Sequence, residues 1–166
     1  LAPLDEILAS IGELTDNAGA LIVDEAHATG VFGSCANSSN VGTGAGLIAQ
    51  LGLERHPNLP ATVHTYGKAF GVHGAAVAGS ALLKSYLINY SRPLIYSTAL
   101  PLHSLCAIKC AYRMVQSHGE VLRGKLRAHI AQFREGLCEA SDEDELKEEE
   151  LMPLPQYLFR PSRSPI

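Results

Sequence analysis

Two charged side chains each follow a predicted strand, and both are candidates for chemistry. The first, Asp24, comes directly after the apolar run 20–23, which predicts a strand buried in a parallel sheet. Ligands of open α/β sheets bind at the carboxyl ends of such strands. A carboxylate there is poorly solvated and needs a metal, a base or a protonated heterocyclic nitrogen as its partner. His27, three residues later, can point into the same crevice. In the alternative interpretation, Asp24 caps the following turn and His27 only packs in the wall of that crevice.

The second candidate, Lys68, comes just after the uncharged segment 61–66, which predicts a strand, and lies between Gly67 and Gly71. Because its neighbours are apolar or small, this lysine is expected to lose solvation, which favours the neutral amine of a nucleophile or Schiff-base former. The glycines let a ligand approach the backbone, and Thr65 offers a hydroxyl to a phosphate. The alternative interpretation is an ordinary surface lysine whose ammonium remains in water.

Together these positions favour a site for pyridoxal 5'-phosphate. This cofactor requires a lysine amine, a carboxylate that keeps its ring nitrogen protonated, and donors for its phosphate group. Lys68 and Asp24 supply the first two groups from the ends of two predicted strands, and Thr65 supplies a hydroxyl for the third.

The segments that must position these residues alternate between helical and extended patterns, which predicts a layered α/β fold. Apolar residues at helical spacing predict helices over 4–17, 47–51, 81–90, 102–117 and 119–140, with Gly119 as a break between the last two. Short uncharged segments predict strands over 20–23, 61–66, 74–79 and 94–96.

The charges divide the chain into a body and a tail. Residues 1–140 carry equal numbers of acidic and basic side chains, so residues 141–166 account for the whole net charge of −4. We therefore predict a packed domain over 1–140 and an acidic, proline-containing, poorly ordered tail over 141–166. A neutral body without a basic stripe disfavours nucleic acid as a partner, and no apolar run reaches the ~20 residues of a membrane span.

The cysteines and histidines show no spacing typical of metal ligands, so no metal site is predicted. The absence of a CxxC pair also disfavours a disulfide framework. Reduced thiols are then expected, as in an intracellular and most simply cytoplasmic protein. Cys106 and Cys110 lie one helical turn apart and are expected to pack in the core.

Three segments of the sequence resemble the α-oxoamine synthases. They are LIVDEAHATGVFG at 21–33, TYGKAFGVHGAAVAG at 65–79 and RPLIYSTALP at 92–101, and the likeness extends over about residues 1–140. Members of that family are fold-type I pyridoxal phosphate enzymes with an aspartate-aminotransferase-like large domain. The resemblance implies that this chain contains the central part of such a domain.

The resemblance also implies roles for the residues of the first two segments. Lys68 matches the lysine that forms the internal aldimine, and Asp24 matches the carboxylate paired with the pyridine nitrogen. His27 matches the histidine near the phenolic oxygen of the cofactor and the substrate. Thr65 matches the hydroxyl that binds the phosphate, whereas Glu25 is expected to be structural.

The third segment implies a homodimer. Ser97 and Thr98 fall where this fold often lends a phosphate ligand to the neighbouring subunit, so both are predicted cofactor-binding residues. His73 lies near Lys68 in the sequence, but a loop role is the preferred interpretation.

The reaction implied by the resemblance is a decarboxylative condensation of an amino acid with an acyl-CoA. L-Alanine and pimeloyl-CoA, the pair that gives 8-amino-7-oxononanoate in biotin biosynthesis, are the preferred substrates. The alternatives are the glycine C-acetyltransferase, 5-aminolevulinate synthase and serine palmitoyltransferase types of the family, or a catalytically silent homologue or subunit. The presence of Lys68, Asp24, His27 and Thr65 favours an enzyme.

The start of the chain, Leu1 rather than Met, indicates a piece of a longer protein. The glycine-rich region, the side chain that stacks on the cofactor and the small C-terminal domain of the family are not found in the sequence. We therefore expect residues 1–166 alone to bind the cofactor weakly and to turn over no substrate, because several contacts to the cofactor would be missing. Residues 34–46 are expected to form a connection slightly longer than usual.

Overall fold

The computed structural model describes residues 2–33 and 43–143, with residues 138–143 described by their backbone alone. The chain divides into two compact units, Leu1–Arg123 and Gly124–Ile166. In chain order the elements are α1 (Leu4–Thr15), β1 (Ile22–Asp24), α2 (Leu47–Leu51), β2 (Ala61–Thr65), β3 (Ala75–Gly79), α3 (Ala81–Tyr90), α4 (Arg92–Ile95) and α5 (Leu102–Glu143). The predicted α/β character is confirmed, and most elements agree with their predicted bounds within two residues.

Helix α1 supplies one side of the core. Its Leu4 and Leu8 are buried and pack with Ile48 and Leu59. Each such side chain contributes about 1.5–3 kcal/mol when it is fully buried. The helix ends two residues earlier than predicted because the backbone turns into the left-handed region at Asp16, where φ is 51°.

The three strands form one sheet in the order β1-β2-β3. Strands β1 and β2 are parallel, with Asp24 opposite Val63. Strand β3 is antiparallel to β2, with Val77 also opposite Val63. The predicted burial of β1 on both faces is wrong, because β1 is an edge strand and Ile22 is 64% exposed.

The two faces of this sheet differ in their packing. We call the side bearing Val23 the core face, because Val23 packs against the apolar cluster of α1 and α2. Residues that oppose each other in register share a face, and residues two apart along a strand share it as well. Asp24, Val63 and Thr65 therefore lie on the other side, which we call the site face. Val77 is also on this side and is 56% exposed.

The strand predicted over 94–96 is wrong, because this segment belongs to the short helix α4 and the turn that follows it. Pro93 lies in the first turn of α4, where the fixed φ of proline suits a helix and its missing N–H is not needed. The apolar residues after it, which had suggested a strand, form the rest of this helical turn.

The predicted break at Gly119 is also wrong, because α5 is continuous over 42 residues. Glycine costs a helix about 1 kcal/mol relative to alanine, and a helix of this length tolerates that cost. A Cβ at Gly119 would lie 2.5 Å from Nη1 of Arg123, so the glycine leaves space for this buried guanidinium. Residues of α5 from Gly124 onward belong to the second unit.

Within residues 2–33 and 43–143, none of the helices is both long and apolar enough to cross a membrane. Of the connection predicted over 34–46, residues 34–42 lie outside the described residues, as do residues 144–166 of the predicted tail. The boundary predicted at residue 140 stays a prediction.

Candidate active site

Asp24 lies at the carboxyl end of β1, on the site face, and its side chain is exposed. One oxygen, Oδ1, accepts a hydrogen bond from the backbone N–H of Ala26 at 2.7 Å. Asp24 thus caps the following turn, which was the alternative interpretation, and the expected poor solvation is wrong. Within the described part of the chain, no hydrogen bond to the second oxygen, Oδ2, is seen.

Glu25, the residue after Asp24, fixes the same turn through buried contacts. Glu25 is 1% exposed, and its backbone N–H donates to the Val63 carbonyl oxygen at 2.8 Å. Its carboxylate accepts from the N–H groups of Leu47 at 2.9 Å and Ile48 at 2.7 Å. These are among the unpaired donors at the start of α2, where negative charge is also favoured by the helix dipole. The structural role expected for Glu25 is therefore seen in its contacts.

A second set of polar contacts fixes the same turn. The Thr29 hydroxyl donates to the Glu25 carbonyl oxygen at 2.8 Å and lies 2.9 Å from Nδ1 of His64. On the other side of the ring, Nε2 of His64 lies 3.0 Å from the Thr62 hydroxyl. His64 therefore links β2 to this turn on the core face, whereas His27 is exposed in the turn itself.

Lys68 lies three residues beyond the end of β2, in a tight turn. Three backbone hydrogen bonds of 2.9 Å shape it: Gly71 N–H to the Lys68 carbonyl, Val72 N–H to the Tyr66 carbonyl, and Tyr66 N–H to the Gly74 carbonyl. Gly71 has a φ of 65°, a conformation that side-chain-bearing residues rarely adopt. The expected loss of solvation is wrong, because Lys68 is exposed. Its amine is therefore accessible to a ligand at this edge.

Three aromatic rings support the Lys68 turn. Tyr66, 4% exposed, packs against Phe70 and Tyr112, with ring centroids 5.3 and 5.7 Å away. The Tyr66 and Tyr112 hydroxyls are 2.9 Å apart. Burial raises the pKa of the Tyr66 phenol above its ordinary range, and the hydrogen bond to Tyr112 adds to the rise. We call Tyr66, Phe70 and Tyr112 the aromatic clamp.

The aromatic clamp also connects the two turns. A Cβ at Gly30 would lie 3.1 Å from the Phe70 ring, so this ring packs directly on the Gly30 backbone. Gly30 lies in the turn that follows Asp24, and Phe70 lies in the turn that contains Lys68. Sequence reasoning missed this clamp. The only local signal is that Tyr66 and Phe70 flank Lys68 by two residues on either side.

The remaining candidates lie after α4. Ser97 is exposed and donates to the Leu94 carbonyl oxygen at 3.0 Å, and Thr98 is exposed beside it. Among the described residues, no hydrogen bond connects either of them to Asp24, Thr65 or Lys68. The same part of the chain holds no group of three or more His, Cys, Asp or Glu side chains able to bind a metal ion.

A cavity of about 680 Å³ lies against the sheet, lined among others by Thr62, His64 and Ala78. Val23 opposes Thr62 in register, so this cavity lies on the core face. Neither Asp24 nor Lys68 lines it. We therefore place the candidate site at the carboxyl edge of β1 and β2 rather than in this cavity.

Comparison with known proteins decides the family. The profile described as aminotransferase class I and II matches residues 1–153. The chain belongs to this family.

The 8-amino-7-oxononanoate synthase of Emericella nidulans is 42% identical over 146 residues, which cover 87% of this chain and 33% of that protein. The synthase of the same name from Thioalkalivibrio sulfidiphilus is 43% identical over 136 residues, 82% of this chain and 31% of that protein. The chain thus spans about a third of the length of these curated relatives.

Solved structures show the same fold. Serine palmitoyltransferase from S. paucimobilis with a bound PLP–myriocin aldimine matches with a TM-score of 0.66 and 25% identity, over 82% of this chain and 32% of that one. The 8-amino-7-oxononanoate synthase from Francisella tularensis matches with a TM-score of 0.63 and 26% identity, over 82% of this chain and 45% of that one. These matches confirm the predicted aspartate-aminotransferase-like fold, present here in part.

Proposed function

We propose that this chain carries the lysine-bearing part of a pyridoxal 5'-phosphate-dependent enzyme that condenses an amino acid with an acyl-CoA and releases CO₂. One observation carries the proposal: the ends of two parallel strands bring Asp24, Thr65 and the Lys68 turn to one sheet edge. Membership of the class I and II aminotransferase family supports the same cofactor.

The side chains at this edge fit the chemistry of the cofactor. Its protonated ring nitrogen requires an acceptor, and the exposed Asp24 offers Oδ2, to which no hydrogen bond is seen in the described part of the chain. Its phosphate requires donors, and Thr65 provides a hydroxyl on the same face as Asp24. Its aldehyde requires an accessible amine, which Lys68 provides.

Each of these residues then has its own role in the proposed reaction. When bound, the cofactor stabilises negative charge at the substrate α-carbon. Asp24 accepts a hydrogen bond from the ring nitrogen and so keeps the proton at that atom. The Lys68 amine removes the α-proton of the amino acid and later returns a proton to the product. His27, exposed beside Asp24, orients the substrate by hydrogen bonding.

The preferred substrates are L-alanine and pimeloyl-CoA, giving 8-amino-7-oxononanoate. Support comes from the relatives at 42–43% identity, which are synthases of this compound. The serine palmitoyltransferase structures, at 25–26% identity, support the alternative of another acyl-CoA. We further propose a cytoplasmic homodimer, in which Ser97 and Thr98 bind the phosphate of the cofactor held by the partner subunit.

Covalent capture of the cofactor tests the role of Lys68. The purified protein is incubated with a saturating concentration of pyridoxal 5'-phosphate, borohydride fixes the cofactor to the amine that holds it, and peptide mass spectrometry locates the label. We expect the label on Lys68, unchanged in a Lys84→Ala variant, since Lys84 is an exposed lysine of α3. Equal labelling of Lys68 and Lys84 would contradict the proposal.

The acyl donor is tested separately, in a longer protein that contains this chain and has the length of its relatives, by measuring CoA release with L-alanine and each of four donors. We expect pimeloyl-CoA to react faster than acetyl-, succinyl- or palmitoyl-CoA. Faster turnover of one of the other donors would retain the reaction class and overturn the proposed substrate.

A further inference from the structure

Two exposed thiols lie side by side on α5, outside the site described above. Cys106 and Cys110 are free and exposed, so the core packing expected for them is wrong. They are four residues apart in one helix, which places them on the same face, one turn above the other.

The helix spacing sets which bonds this pair can form. Side chains at positions i and i+4 have Cβ atoms about 5–6 Å apart, whereas a disulfide requires about 3.5–4.5 Å. A direct S–S bond would therefore require the helix to unwind. A single bridging atom would not require the helix to unwind, because it allows a larger distance between the two sulfurs. With bonds of about 2.3 Å to each sulfur, as zinc makes, the sulfurs can be up to about 4.6 Å apart.

The number of available ligands narrows the choice of bridging atom. Structural zinc takes four protein ligands, but residues 2–33 and 43–143 hold no cluster of three or more potential metal ligands. His103, although it precedes Cys106 by one turn, does not complete such a cluster. A suitable centre must be thiophilic and satisfied by two protein sulfurs. A trivalent organoarsenical meets both conditions, because its third bond is to carbon.

We propose that Cys106 and Cys110 form a two-sulfur binding site for trivalent organoarsenicals. With phenylarsine oxide as the probe, both S–H bonds and the arsenic–oxygen bond break, two As–S bonds form, and one water molecule leaves with the two protons. Arsenic stays trivalent and sulfur is not oxidised, so the reaction requires no oxidant or reductant. The site is independent of Lys68 and of the proposed cofactor.

Mass spectrometry of the intact chain tests the site in a Cys35→Ser, Cys138→Ser background, which leaves only the two thiols of interest. We expect one phenylarsenic group per chain, resistant to a monothiol and removed by 2,3-dimercaptopropanol. Further replacement of Cys106 or Cys110 by serine should weaken binding by about 10²–10⁴-fold, because the second bond is no longer intramolecular. Retention of full affinity in either variant would overturn the proposal.

A spacing control distinguishes a matched pair from two separate thiols. In that background, Cys110→Ser combined with Ala111→Cys keeps two thiols but moves one about 100° around the helix. We expect the affinity to fall to that of a single thiol while circular dichroism shows the same helix content. Equal affinity of this variant, or a Cys106–Cys110 disulfide formed by oxidised glutathione without loss of helix, would contradict the proposed geometry.

Discussion

The Asp24 turn and the Lys68 turn lie at the same sheet edge but are held by different forces. Polar contacts fix the first, through the buried Glu25 carboxylate and the Thr29 and His64 side chains. Aromatic packing supports the second, with one hydroxyl pair inside the aromatic clamp. The Asp24 turn therefore depends on side-chain hydrogen bonds, whereas the Lys68 turn combines its own backbone hydrogen bonds with aromatic packing.

The largest effect is expected from Glu25→Ala, which breaks the polar support of the Asp24 turn. Two charge-assisted hydrogen bonds are lost, each contributing about 1.5–3 kcal/mol, so the free energy of unfolding should fall by about 3–6 kcal/mol. Urea denaturation measures this change. Glu25→Gln should lose about half as much, and Glu54→Ala, at an exposed position, should be close to wild type. Equal stability of Glu25→Ala and Glu54→Ala would show that the α2 contact is unimportant.

A smaller effect is expected from Tyr112→Phe, which leaves the buried Tyr66 hydroxyl without its partner. The cost is about 1–3 kcal/mol, the penalty for an unsatisfied buried polar group. The double variant Tyr66→Phe, Tyr112→Phe removes both hydroxyls and should recover most of that loss in urea denaturation. If the double variant is as unstable as the sum of the two single variants, the hydroxyls do not act as a pair.

The aromatic clamp should also make the stability of the protein depend on pH. The pKa of Tyr66 is raised in the folded state, so its contribution is fully present below the unfolded pKa of about 10. Above that pH the unfolded chain releases the proton first, and stability falls by up to about 1.4 kcal/mol per pH unit until the folded pKa is reached. Unfolding measured between pH 9 and 11 should show this slope in the wild type and lose it in Tyr66→Phe. The same slope in both proteins would assign it to another group.

The sequence predicted those parts of the site that depend on local pattern. The segments before Asp24 and Lys68 indicate two strands, and parallel strands bring their carboxyl ends to one edge. The aromatic clamp could not be predicted in this way, because Tyr112 is 46 residues from Tyr66 and their contact depends on how α5 packs.

The errors have a common physical origin. Solvation of Asp24, Lys68 and the two α5 cysteines depends on which neighbouring elements cover them, and sequence composition does not specify this. The short apolar run at 94–96 suits a strand or a helical turn equally well, and Pro93 favours the turn. Glycine is a weak helix former, which favours a break at Gly119, but a long helix tolerates one glycine.

The central claim is that Asp24 and Lys68 belong to one cofactor site, and the protonation of the cofactor's ring nitrogen tests it most directly. The protein is loaded with pyridoxal 5'-phosphate labelled with ¹⁵N in the ring, and the ¹⁵N chemical shift is measured at pH 8 in the wild type, in Asp24→Asn and in the control Asp5→Asn. We predict a protonated nitrogen in the wild type and in Asp5→Asn, and loss of that proton in Asp24→Asn with the label still on Lys68. A protonated nitrogen in Asp24→Asn would show that another group holds the proton and would contradict the proposed site.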